Sequence, residues 1–139
     1  MTTPAPREWV VELPPGTPII SGNHRMHPMA RAAAVKRLKD TTVRAIEIAR
    51  LPVITVPVDV LIEYEPPPRL KKDRHPLASA RIEDSDNLAP TGKTLVDALR
   101  KAGVLARGDA HGRVRKVTNQ VLPRTHLRGH VRMRITEVR

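Results

Sequence analysis

Between residues 54 and 64 the chain alternates: Val56, Val58, Val60, Ile62 and Tyr64 fall on one side of an extended backbone, and Asp59, Leu61 and Glu63 on the other. Side chains two apart share a face of a strand, so this stretch predicts one. The same period returns near the C-terminus, where Val131, Met133 and Ile135 alternate with Arg128, His130, Arg132 and Arg134. That strand, over residues 128–138, is predicted to carry one core face and one strongly basic face. A half-apolar strand needs a sheet, and a sheet of this kind needs helices to cover its apolar side.

The rest of the chain supplies both. Residues 8–13 suit a strand ended by Pro14, Pro15 and Gly16, and residues 112–121 suit another. From about Ala30 to Arg50, Val35, Leu38, Thr42, Ala45, Ile46 and Ala49 recur at helical spacing, with Arg31, Arg37, Lys39 and Arg44 largely outside that face and Pro52 helping to stop the helix. A second helix fits Pro90 to Ala102, with Leu95, Leu99 and Ala102 on its buried face and Gly103 at its C-terminal cap. The order β-α-β-α-β-β predicts an α/β (α+β-like) fold: a mixed or antiparallel sheet of about four strands with two helices. With 139 residues, the expectation is one domain over 1–139.

Charge narrows the partners. Lys and Arg number 25 against 14 acids, a formal net charge of +11, and 18 of the 25 cations are Arg. Arg binds phosphate bidentately, and a field of this sign favours polyanions, nucleic acid above all. Trp9 and Tyr64 are the only aromatics besides histidine, too few for base stacking along a single strand, so contact is expected through backbone phosphates and shape. The Pro-rich basic stretch 66–82, with Arg69, Lys71, Lys72, Arg74 and Arg81, reads as a mobile loop able to clamp a DNA backbone, or equally as a solvated connection. The apolar run from Leu51 to Ile62 is too short and too broken by Pro52, Pro57 and Asp59 to span a bilayer. With no Cys and no secretion signal in Met-Thr-Thr-Pro-Ala-Pro, a cytoplasmic protein is expected.

Against this basic background, Glu83, Asp84 and Asp86 crowd one short stretch, followed by Asn87. Clustered carboxylates repel each other and DNA alike, and a hard divalent cation offsets both repulsions. Asp84 and Asp86, two apart on an extended segment, could reach one metal; the competing reading is an Asx-rich turn that caps the next helix. Lys93 and Asp97, four apart on that helix, share a face towards Asp86 and read either as a transition-state cation with its positioning acid or as a plain surface pair. Thr91-Gly92-Lys93-Thr94 looks like the end of a P-loop, but position 87, five before Gly92, is Asn, which argues against a nucleotide site. His24 and His27, or His126 and His130, lack the partners a zinc site needs.

Asp84-Ser-Asp86-Asn87-Leu88, then Lys93, then Val96-Asp97-Ala98-Leu99, then Lys101-Ala102-Gly103, then Asp109 resembles the signature of the RusA family of Holliday-junction resolvases, in the same order throughout. The Asn-Xaa-Arg-Xaa-His element from Asn23 to His27 is similar to the family's N-terminal one. The specific part of the resemblance is residues 84–109, and the longer interval between Asn87 and Lys93 looks like that of bacteriophage relatives. Many members carry paired acids at the last position, whereas here Gly108 precedes Asp109. The resemblance implies a homodimer that cuts four-way junctions by paired symmetric nicks with Mg²⁺, or alternatively Mn²⁺. It implies Asp84, Asp86 and Asp109 as metal-binding and catalytic acids, Lys93 as catalytic lysine, and Asn87 and Asp97 in support. DNA would lie along Arg69, Lys71, Lys72, Arg74, Arg113, Arg115, Lys116, Arg128, Arg132 and Arg134. A non-catalytic basic nucleic-acid-binding protein, or a nuclease for other branched DNA, are the alternatives. The implied place of action is the cytoplasm, a bacterial host's if the gene is a phage's.

Overall fold

The computed structural model describes residues 5–22, 25–68, 85–105 and 114–138. They form β1 (Glu8–Glu12), α1 (Pro28–Ala49), β2 (Val58–Glu65), a 3₁₀ turn (Ser85–Leu88) running into α2 (Ala89–Lys101), β3 (Val114–Val121) and β4 (His130–Glu137). The expected α+β class holds: one four-stranded mixed sheet with two helices. The stretch read as a mobile basic loop lies, from residue 69 on, outside the described residues.

Two boundaries shift for local reasons. α1 starts at Pro28 rather than at Ala30, because proline at the first helical position loses no bond and His27 caps it, its Nδ1 accepting from the Met29 N–H at 3.2 Å. β2 starts at Val58 rather than at residue 54, because Pro57 has no N–H to give a ladder and Ile54 makes only an isolated bridge to Leu105.

The strand order is β1-β4-β2-β3. β4 pairs antiparallel with β1 and with β2, while β2 and β3 are parallel. A parallel pair needs a crossover, and α2 is that crossover. Its amino end therefore stands at the carboxyl ends of β2 and β3, where ligands meet open α/β sheets. Val11, Val58, Val60, Ile62, Met133 and Ile135 turn one sheet face inward against Leu38 and Ile46 of α1 and Leu95 and Leu99 of α2, all buried. With no Phe, this core is built from aliphatic side chains, Met133 and Tyr64, with Trp9 packed against its edge.

The other sheet face corrects an expectation. It is not strongly basic. Arg134 of β4 bonds Glu63 of β2 and, at 3.1 Å, Glu8 of β1; Arg132 bonds Glu65; Arg124 reaches Glu65 at 3.0 Å; and Arg115 grips Asp59 through both guanidinium arms, at 3.0 and 2.6 Å. The acids come from neighbouring strands, so reading β4 alone shows only half of a neutral ladder.

Arg124's hydrogen bond and the charges of Arg132, Arg124 and His130 outweigh burial, which acts in the opposite direction, and hold the Glu65 carboxyl below its ordinary range. The Arg115 bond does the same for Asp59. A carboxyl lowered by folding stabilises the fold above its unfolded pKa and loses that contribution as pH falls through its folded value. The melting temperature should therefore hold from pH 7 to about pH 5 and fall below about pH 4. Glu65→Gln should flatten that fall in a thermal-unfolding series; an unchanged slope would contradict the assignment.

Candidate active site at the start of the second helix

The segment from Ser85 to Thr94 is bolted to three neighbours. Ser85 Oγ accepts from the Val121 N–H of β3 at 3.0 Å, and the Asn87 carbonyl accepts from the Gly22 N–H at 3.0 Å. The Thr91 hydroxyl, fully buried, both accepts from the Ile20 N–H (2.9 Å) and donates to the Ile20 carbonyl (2.8 Å). Leu88 is buried below. These bonds span 36 to 71 residues of sequence, so none of them is visible in local pattern. They bring Ser21 and Gly22, at the edge of the Asn-Xaa-Arg-Xaa-His element, against Asn87; a Cβ on Gly22 would stand 3.3 Å from Asn87 Oδ1.

What the bolted segment leaves in solvent is Asp86 and Lys93, both exposed, with Asn87 half-buried between the turn and residue 22. The capping alternative for the acids is not met at the N-cap, which is Leu88 and carries no side-chain cap bond. Asp97 pairs with Arg100 at 3.2 Å, so its ion pair is with the next turn of α2 and not with Lys93 as expected.

Asp84 and Asp109 lie outside the described residues, as do Arg69, Lys71, Lys72, Arg74, Arg81 and Arg113. Among the described residues no group of three His, Asp or Glu could hold a metal. Leu105 bridges Ile54 and Val114 pairs with Val58, both at the amino end of β2. Asp86 stands at the carboxyl end, about 23 Å away along β3 at the usual rise per residue.

The remaining cations divide. Arg115, Arg132 and Arg134 are engaged in the ladder described above, whereas Lys116 and Arg128 are exposed with no ion pair among the described residues. His126 and His130 face each other with ring centroids 5.4 Å apart, and His130 Nδ1 lies 3.7 Å from Glu65.

Gly92 has a reason that the P-loop-like spelling hides. Its missing side chain makes room for Asn119 of β3: a Cβ at 92 would sit 1.9 Å from Asn119 Oδ1, an atom buried without a hydrogen-bond partner. Gly92→Ala should change stability by less than about 1 kcal/mol, because the new Cβ meets only the far end of the Asn119 side chain, which can turn away, and alanine favours the helix. Chemical denaturation checks this, and a loss above about 2 kcal/mol would mean that the Asn119 amide is held in place.

No protein-family model matches this chain, and no curated protein matches it either. Among the described residues, no helix is long and apolar enough to cross a membrane.

Proposed function

We propose that this chain is a metal-dependent, structure-selective DNA endonuclease of the RusA type that acts as a homodimer on four-way junctions and cuts them by paired symmetric nicks. The observation that carries the reading is the exposure of Asp86 and Lys93 from a segment otherwise locked in place, at the sheet end where the parallel strands finish. The ordered signature from Asp84 to Asp109 and the net charge of +11 support it.

Asp84, Asp86 and Asp109 would hold Mg²⁺ or Mn²⁺, an all-oxygen anionic donor set suited to a hard cation. When bound, the ion polarises the scissile phosphate and lowers the pKa of its water. Lys93 offsets the negative charge that grows on the phosphate oxygens. Asn87 ties the acidic turn to residue 22 through its backbone carbonyl. Because the segment is fixed before substrate arrives, Asp86 and Lys93 need little reorganisation in the transition state. One small site makes one cut, and a two-fold dimer supplies the second with matching symmetry.

The test is cleavage of a mobile four-way junction beside linear duplex and a flap, with Mg²⁺, with Mn²⁺ and in EDTA. Symmetric, metal-dependent nicks on the junction are the expected result, with binding that weakens steeply as salt rises. Preference for the flap would move the substrate to other branched DNA. Tight binding without cutting under either metal would leave a non-catalytic DNA-binding protein.

A further inference from the structure

The loop that joins β3 to β4, residues 122–129, is pinned along its length. The Leu122 N–H bonds the Tyr64 carbonyl (2.8 Å), the His126 N–H bonds the Pro66 carbonyl (3.1 Å), and the Gly129 N–H bonds the His126 carbonyl (3.0 Å). The Arg128 N–H donates to His126 Nδ1 at 3.2 Å, and the Gly16 N–H reaches across to the Gly129 carbonyl at 2.9 Å. Gly129 has φ +78, and a Cβ there would meet Pro67 and the Tyr64 hydroxyl, so the turn is held tightly against the exit of β2. Yet Leu127 is 82% exposed, more than Met29, Ile48 or Val53.

A floppy loop can bury an apolar tip by folding over; this one is stapled so that it cannot. Beside the leucine stands Arg128, exposed and in no ion pair among the described residues, and Arg124, whose bond to Glu65 leaves it more than half exposed. The loop leaves β3 at Val121, whose N–H holds Ser85, so it rises from the same sheet end as Asp86.

We infer that Leu127 is an apolar wedge that enters an opened base step at the branch point of a DNA junction, with Arg128 on an adjacent phosphate. The inference rests on the DNA reading above. Apolar wedges carried by basic DNA-binding proteins enter unstacked steps, and unstacking costs least where the duplex is already interrupted, as at a branch. Leu127 and Arg128 thus supply an apolar tip and a phosphate contact side by side.

The test uses the full chain in EDTA, so that cutting plays no part. Four-way junctions carry 2-aminopurine at each branch-point position in turn, with the same base in linear duplex as control. Wild type should raise the fluorescence several-fold at one branch position and leave the duplex unchanged. Leu127→Ala should abolish the rise while weakening junction binding less than about tenfold, and Leu127→Met should retain it. Arg128→Ala should reduce the slope of log affinity against log salt by about 0.9. An equal rise in Leu127→Ala overturns the wedge. So does an absent rise in wild type, including the case where Leu127→Ala instead abolishes self-association in sedimentation. Failure to bind any DNA overturns both this inference and the DNA reading. A rise that depends on Leu127 in a protein that never cuts with Mg²⁺ supports the wedge and removes only the nuclease.

Discussion

Asp86→Asn should abolish most metal-dependent cleavage, lowering the rate by about 10²–10³-fold, while leaving fold and junction binding intact. The substitution keeps the shape of an exposed side chain, and the amide oxygen can still accept hydrogen bonds, so stability should change by less than about 1 kcal/mol. Junction affinity in EDTA should stay level or tighten, because an anion beside the phosphates has gone. The variant separates the two readings of the acidic stretch cleanly. Asn caps helices as well as Asp does, so a capping residue would tolerate the change in every assay. A metal ligand would not, since an amide oxygen carries no charge to offset the cation's.

Glu65→Ala should cost about 3 kcal/mol, which corresponds to about 10 °C in melting temperature for a chain of this size. Glu65 is only 7% exposed and faces Arg132, Arg124 and His130. Arg132 is itself 15% exposed at the side chain and already has a buried Nε without a partner. Removing the acid leaves a guanidinium held out of water with nothing opposite it. Glu65→Ala combined with Arg132→Met should recover most of the loss, because replacing the whole buried pair by apolar groups removes two desolvation penalties together. A single variant that melts like wild type would show the ladder to be no more than surface decoration.

How far the sequence can be read follows from the range of the interactions. The two helices and four strands were legible in their order, because periods of 3.6 and 2 are local and survive in Leu38–Thr42–Ile46 and in Val58–Val60–Ile62. Boundaries moved where one residue overrode the period, as Pro28 and Pro57 did. Asp86 and Lys93 were legible as chemistry because their types and spacing are unusual in a basic chain. What stayed hidden was every pairing across the sheet. Arg132 and Arg134 looked like a free basic face because their acids lie about 70 residues away on β2, or on β1 at the opposite end of the chain. Gly92 looked like a fragment of a nucleotide loop because Asn119, which needs its space, lies on β3.

The ladder on the outer sheet face has an orientational consequence. Its four acids (Glu8, Asp59, Glu63, Glu65) and four arginines (Arg115, Arg124, Arg132, Arg134) cancel, so the whole net charge of +11 belongs to the rest of the molecule. Residues 28–49, which form α1, carry five cations against two acids. Among the described residues, positive charge is therefore weighted towards the helix side and away from the outer sheet face, and a polyanion within a Debye length, roughly 10 Å at 0.1 M, meets the stronger field there.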